Sequence, residues 1–330
     1  MAVTMADISK LRQMTGAGMM DCKKALTEAN NDIDAAIEIL RKKGQAVAAK
    51  REDRNASEGC VIAASTGDYA AVVALNCETD FVGKNEGFVN LTKSILAAAV
   101  EAKAKSIDEV KALEINGQKI ADLIVEESGK TGEKMELGAF EYVEAPATIA
   151  YNHFGNKLAT LVAFNKAGLD EQVYKNVAMQ VAAMNPLAVD ECDVAEEVKE
   201  KEIAVAIEKT KAEQVQKAVE AALKKAGINP AHVDSEDHME SNKAKGWITE
   251  EDVVKAKEII ATVSAEKAAN LPEAMIQNIA KGRLGKFLKE VCLLNQEDIL
   301  DGKKTVRETL KAADAELKII DFKRFTLRAE

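Results

Sequence analysis

Three sets of residues carry side chains that could do chemistry. Cys77 and His153 are the first. A thiol and an imidazole can act as nucleophile and base, the ring drawing the proton from the sulfur. Nothing near either residue orients such a pair, and Cys77 closes an apolar run, where cysteine commonly serves as a small core residue. A cysteine-dependent enzyme at Cys77 therefore stands only as an alternative. His232 and His238 are the second set; they lie six apart in a polar stretch, without metal-ligand spacing. Thr15-Gly16-Ala17-Gly18 is the third. Glycine-rich turns cradle phosphates when they follow a strand, but this one follows a helical pattern and reads as a plain turn. Neither Gly-x-x-x-x-Gly-Lys-Ser/Thr nor Gly-x-Gly-x-x-Gly occurs in the chain. No catalytic residue, no cofactor and no metal site is expected.

A different kind of chemistry is suggested by Asn76-Cys77-Glu78-Thr79-Asp80-Phe81-Val82-Gly83. The apolar, strand-like run Ala70 to Leu75 stops there, and a helical pattern, Phe88 to Ala99, begins soon after. The turn carries a large ring, Phe81, beside an acid, Asp80. An aromatic at such a place either folds back into its own core, the commoner fate, or is held out for another protein's pocket. The residues alone leave both open.

Composition narrows the setting. With 47% hydrophobic and 30% charged residues, the chain reads as globular rather than disordered. Its formal net charge of −10 argues against a general nucleic-acid surface. Only 4% of residues are aromatic, so base-stacking platforms are not expected. The 5 cysteines are odd in number and widely spaced, which suits a reducing, cytoplasmic setting better than a disulfide framework. The start of the chain lacks the pattern of a signal peptide, and no run approaches the length of a bilayer span.

The elements that must position these residues follow from periodicity. Residues 1–54 read as a three-helix domain with a charged linker. Thr4 and Asp7 cap the first helix, Thr15 to Gly18 break it, Met19 to Ala29 form the second, and Gly44 ends the third. Residues 55–144 and 145–192 contain a weak repeat of strand, tight turn, strand, helix. Ser106 to Glu109 matches a capping box, and Lys134 to Val143 another strand. Residues 193–270 read as a projecting helical hairpin arm, with a first helix about 50 Å long from Val194 to Ala226. A polar stretch with Trp247 precedes the second helix, which Thr249 to Asp252 cap. Residues 271–330 complete the core: a helix from Glu273 to Lys286, a strand over Glu290 to Asn295, a capping box at Thr305 to Glu308 and a last strand over Leu317 to Leu327. The fold class is α+β. A passive helical scaffold that assembles through the arm is the second alternative.

Two long motifs then carry a resemblance. Leu11 to Leu26 (Leu-Arg-Gln-Met-Thr-Gly-Ala-Gly-Met-Met-Asp-Cys-Lys-Lys-Ala-Leu) resembles the N-terminal signature of the translation elongation factor Ts family. Leu75 to Val82 resembles its second signature. Met184-Asn185-Pro186, Gly282-Arg283 with Lys286-Phe287, and Phe322 to Phe325 extend the likeness over most of the chain. Ala74 and Gly83 depart from it, standing where the family usually has Glu and Ala, and residues 208–270 look longer than the common bacterial arm. Some members also continue beyond the terminal strand into a helix that touches the partner; that contact is expected to be absent or replaced.

The resemblance implies a guanine-nucleotide exchange factor for elongation factor Tu, a protein-binding factor rather than an enzyme. It implies a UBA-like N-terminal domain, a duplicated core and an arm. Thr79, Asp80, Phe81 and Val82 would disturb the partner's magnesium site, and Arg12, Met19 and Met20 would dock the N-terminal domain, with one of the two methionines packing its own core. The chain itself is expected to bind no nucleotide, nucleic acid or membrane. Self-association through the arm is a further expectation.

Overall fold

Thr4 starts the fold. Its hydroxyl accepts the Asp7 N–H at 3.2 Å, and the Asp7 carboxylate takes the Thr4 N–H at 3.0 Å, a reciprocal cap that satisfies two free donors. The computed structural model describes residues 3–327. They fall into a first unit that runs to Val189 and resumes at Gln296, and a second formed by Asp190–Asn295.

The first unit begins with three helices: α1 (Met5–Thr15), α2 (Met19–Glu28) and α3 (Ile33–Lys50). Gly16 closes α1 in the left-handed region, φ 70°. Ile8, Leu11, Cys22, Ala25, Leu26 and Ala36 form a small core. Gly44 does not end α3, as its type suggested. The helix runs on to Lys50, and Gly44 is buried within it.

Next come β1 (Glu58–Ser65), β2 (Tyr69–Cys77), α4 (Asp80–Gly83), α5 (Glu86–Glu101), α6 (Ile107–Ala112), the short β3 (Glu114–Ile115) and β4 (Gln118–Lys119), α7 (Ile120–Thr131) and β5 (Glu136–Glu144). Ser106 caps α6 through the Glu109 N–H, but Glu109 reaches the Lys105 N–H rather than that of Ser106, so only half of the expected box forms. Then follow β6 (Ala147–Asn152), β7 (Leu158–Phe164) and α8 (Glu171–Met184).

Two three-stranded antiparallel sheets and the small β3-β4 ribbon result. In the first sheet, β2 lies between β1 and β5. One face, with Tyr69, Val73 and Leu75, packs on Phe88, Ile95 and Ala99 of α5. The other, with Val61, Ala70 and Val72, packs on Ala159, Leu161 and Ala163 of β7. Because β2 is covered on both faces, its sequence from Tyr69 to Leu75 is an unbroken apolar run with no alternation.

The second unit holds α9 (Glu196–Lys225), α10 (Glu236–Ala244), α11 (Glu250–Ala269) and α12 (Glu273–Val291). Both α11 and α12 lie along α9, and Arg283 of α12 meets Glu213 of α9 at 2.6 Å. The stretch before α11 is not merely polar: Ile228, Val233, Met239 and Ile248 close a core with Leu223 and Ala256. The strand expected over Glu290 to Asn295 is absent. Those residues finish α12 and form a single 3-10 turn, Leu293–Asn295. Cys292 and Leu293 are fully buried, and a short buried apolar run has no period that separates strand from helix end.

The first unit is completed by α13 (Val306–Ala313), with the expected Thr305–Glu308 cap, and by β8 (Ile319–Thr326). The latter joins β6 and β7 in the order β6-β7-β8.

Candidate functional site

Only Glu78 and Thr79 separate the end of β2 from the start of α4, so the chain must reverse within two residues. A half-buried carboxylate makes this feasible. Glu133, just past α7, accepts the N–H groups of Glu78 and Thr79 at 3.1 and 3.0 Å and the Thr79 hydroxyl at 2.6 Å. These donors would otherwise be unpaired at a helix start. Glu78 is tied as firmly. Its carboxylate takes the Lys134 N–H at 2.6 Å and lies 2.9 and 3.0 Å from Nη1 of Arg51, the residue that caps the end of α3. The Lys134 N–H, and then Arg51, hold its carboxyl below the ordinary range.

The turn is also packed from below. A Cβ at Gly59 would stand 2.2 Å from the Leu75 carbonyl oxygen, so only glycine fits there. A Cβ at Gly83 would stand 3.0 Å from the Gly59 carbonyl oxygen. That contact gives the departure at Gly83 a physical reason.

Of the four residues predicted at this turn, two face inward. Thr79 bonds to Glu133, and Val82 packs against the core below. Asp80 is half-buried and pairs with Lys84 at 2.6 Å; that bond holds its carboxyl below the usual value. Phe81 alone projects, 85% exposed. An apolar ring this open on a turn this well tied does not serve its own core.

The three N-terminal residues are all on the surface. Arg12, Met19 and Met20 are exposed, and neither methionine packs the small core, against the expectation that one would. Met5 and Met14, missed in the sequence, are exposed on α1 as well. Unbranched thioethers of this kind adapt to varied partner surfaces. Also missed were Glu133, Arg51 and Lys134, whose side chains and backbone fix the turn. Nothing in their spacing marks them, since each acts across a long sequence separation.

Cys77 and His153 are not brought together as a catalytic pair. The Cys77 thiol is buried, donates to the Thr79 carbonyl oxygen at 3.1 Å and is pushed up to about 12 by burial. His153 lies exposed, 3.1 Å from the Tyr151 hydroxyl. Among the described residues no three His, Cys, Asp or Glu side chains gather as metal ligands do. No described helix is long and apolar enough to cross a membrane.

A family model described as Elongation factor TS matches residues 78–229 and 213–329, well over half of the chain and including most of the turn. The chain belongs to the elongation factor Ts family. It is 73% identical to Elongation factor Ts of Bacteroides thetaiotaomicron and 70% identical to that of Parabacteroides distasonis, over all of each chain in both cases. At 43% identity it still spans the whole Elongation factor Ts of Porphyromonas gingivalis. Each of these full-length matches takes in the residues of the second unit. Membership makes the chain a factor of translation elongation, and of protein biosynthesis more broadly.

Proposed function

We propose that the chain is a guanine-nucleotide exchange factor for elongation factor Tu, acting by binding and without covalent chemistry. The observation that carries this reading is Phe81, an exposed ring on a turn whose backbone is fixed by Glu133 and Glu78. Phe81 and Asp80 enter the GTPase of the partner near its magnesium site, while Arg12, Met19 and Met20 seat the three-helix domain on it. Magnesium supplies much of the charge that holds a nucleotide diphosphate, so displacing its ligands loosens GDP. The factor stays bound until GTP enters.

Magnitudes fit the task. Burying one Phe releases about 1.5–3 kcal/mol, and each 1.4 kcal/mol of coupling changes nucleotide affinity about tenfold. Coupling is reciprocal, so the entering GTP weakens the hold of the factor in turn. Burial of the Cys77 thiol, which pushes it up to about 12, weighs against the enzymatic alternative.

Release of labelled GDP from elongation factor Tu tests the reading. The wild-type chain should accelerate release, and Phe81→Ala should remove most of that acceleration while leaving the unfolding midpoint in place. Normal exchange by Phe81→Ala would overturn the role of the ring.

A further inference from the structure

Arg51 caps the end of α3, yet its side chain ends on Glu78, just ahead of the turn that projects Phe81. We infer that the Arg51–Glu78 pair is a positioning contact that locks the three-helix domain and the Phe81 turn into one register, so that both engage a GTPase partner together. The inference rests on the exchange reading above.

Three observations carry it. Glu78 is held at both ends: its N–H donates to Glu133, and its carboxylate takes the Lys134 N–H and Arg51. The pair is well shielded on the acid side, with the Glu78 side chain 16% exposed. Arg51 is itself delivered by a fixed helix, because α3 is pressed on α7 at Gly44 and Gly129 and tied by Arg41 to Asp122 at 3.4 Å. The ends of α3 and α7 thus converge on the base of one turn. An ion pair open on one side, as at Arg51, contributes little to stability. Its use here is geometric: an interaction surface made of two parts binds better when their spacing is set beforehand, because less freedom is lost on binding. Arg51 and Glu78 act through the turn that carries Phe81, so they are positioning residues.

The test is a double-mutant cycle on the full chain, read by GDP release from elongation factor Tu with maximal rate and half-saturating concentration separated. Glu78→Gln removes the charge pairing and keeps the backbone tie, because the glutamine carbonyl oxygen can still accept the Lys134 N–H. Arg51→Gln and Glu78→Gln should each lower the maximal rate about fivefold. The double variant should be no slower than either, and Arg51→Lys should restore most of the rate. Amides of residues 79–83 should exchange hydrogen faster in the free glutamine variants, with the thermal midpoint near wild type. Rates that multiply in the double variant, or single variants with wild-type rates, would overturn the positioning role while leaving the exchange reading intact. A wild-type chain that does not accelerate release would overturn both.

Discussion

Gly44 and Gly129 meet backbone to backbone where α3 crosses α7: a Cβ built on Gly129 would lie 2.3 Å from the Gly44 Cα. Two helices approach this closely only where side chains are missing. The consequence is that the three-helix domain meets the sheet-bearing core through main chain at this crossing, beside the side-chain ties of Arg41 to Asp122 and Arg51 to Glu78.

The contact is unsymmetrical, and that gives a sharp prediction. In an ordinary helix interior, Gly→Ala stabilises by about 0.5–1 kcal/mol. At Gly44 the added methyl would find its nearest neighbours at 3.6 Å, an ordinary contact, so Gly44→Ala should be neutral or stabilising by that amount. At Gly129 the methyl meets a backbone atom that cannot swing aside. There the steric cost wins, and Gly129→Ala should destabilise by about 1–3 kcal/mol. Denaturant midpoints read both. Equal effects of the two substitutions would show that the helices adjust freely.

Thiol accessibility separates the five cysteines. Cys22, Cys60, Cys77 and Cys292 are buried, and only Cys192 is exposed. Burial raises Cys60 and Cys292 to about 11 and Cys77 to about 12, so little thiolate is present at neutral pH. Iodoacetamide should therefore label Cys192 in the native protein, and the other four only on unfolding, as peptide mapping would show. Prompt labelling of Cys77 would contradict its burial and reopen the enzymatic alternative.

Glu78 predicts an acid response. Its folded carboxyl lies below the ordinary value of 4.5, through the Lys134 N–H first and Arg51 after it. The unfolded chain then binds the proton more readily, so stability rises with pH across that window. The contribution is complete above 4.5 and is lost as pH falls through the lowered folded value. Glu78→Gln should flatten this part of the stability curve. Urea midpoints taken from neutral pH downward measure it, and parallel curves for variant and wild type would remove Glu78 as a source of the acid sensitivity.

What could be read ahead of the structure follows from range. The caps at Thr4, Thr249 and Thr305 are local, each made by residues three apart, and they fall where the motifs place them. Gly44 misled because glycine is a stop signal within its own helix, while the reason for it lies in Gly129 on another. Phe81 was ambiguous because composition favours a core ring; the resemblance pointed outward, and the ring is exposed. Glu133 carried no signal at all. A lone acid after a helix end is ordinary, and its three hydrogen bonds exist only once the residues that follow β2 and α7 are brought together.

The second unit offers its own probe. Trp247 is the single tryptophan of the chain and is 61% exposed, with the His232 ring 5.5 Å away and Lys245 over its face at 4.9 Å. It adjoins the small core where Met239 is 6% exposed among Leu223, Val233 and Ile248. Truncating a buried methionine costs about 2–5 kcal/mol, the lost transfer energy plus the cavity left behind. Met239→Ala should therefore move the unfolding transition seen by Trp247 fluorescence to clearly lower denaturant. Val254, 60% exposed on α11, is the control: Val254→Ala leaves no cavity and should shift the same transition by less than about 0.5 kcal/mol. If the two variants behaved alike, this end of the unit would not be held by the core that Met239 closes.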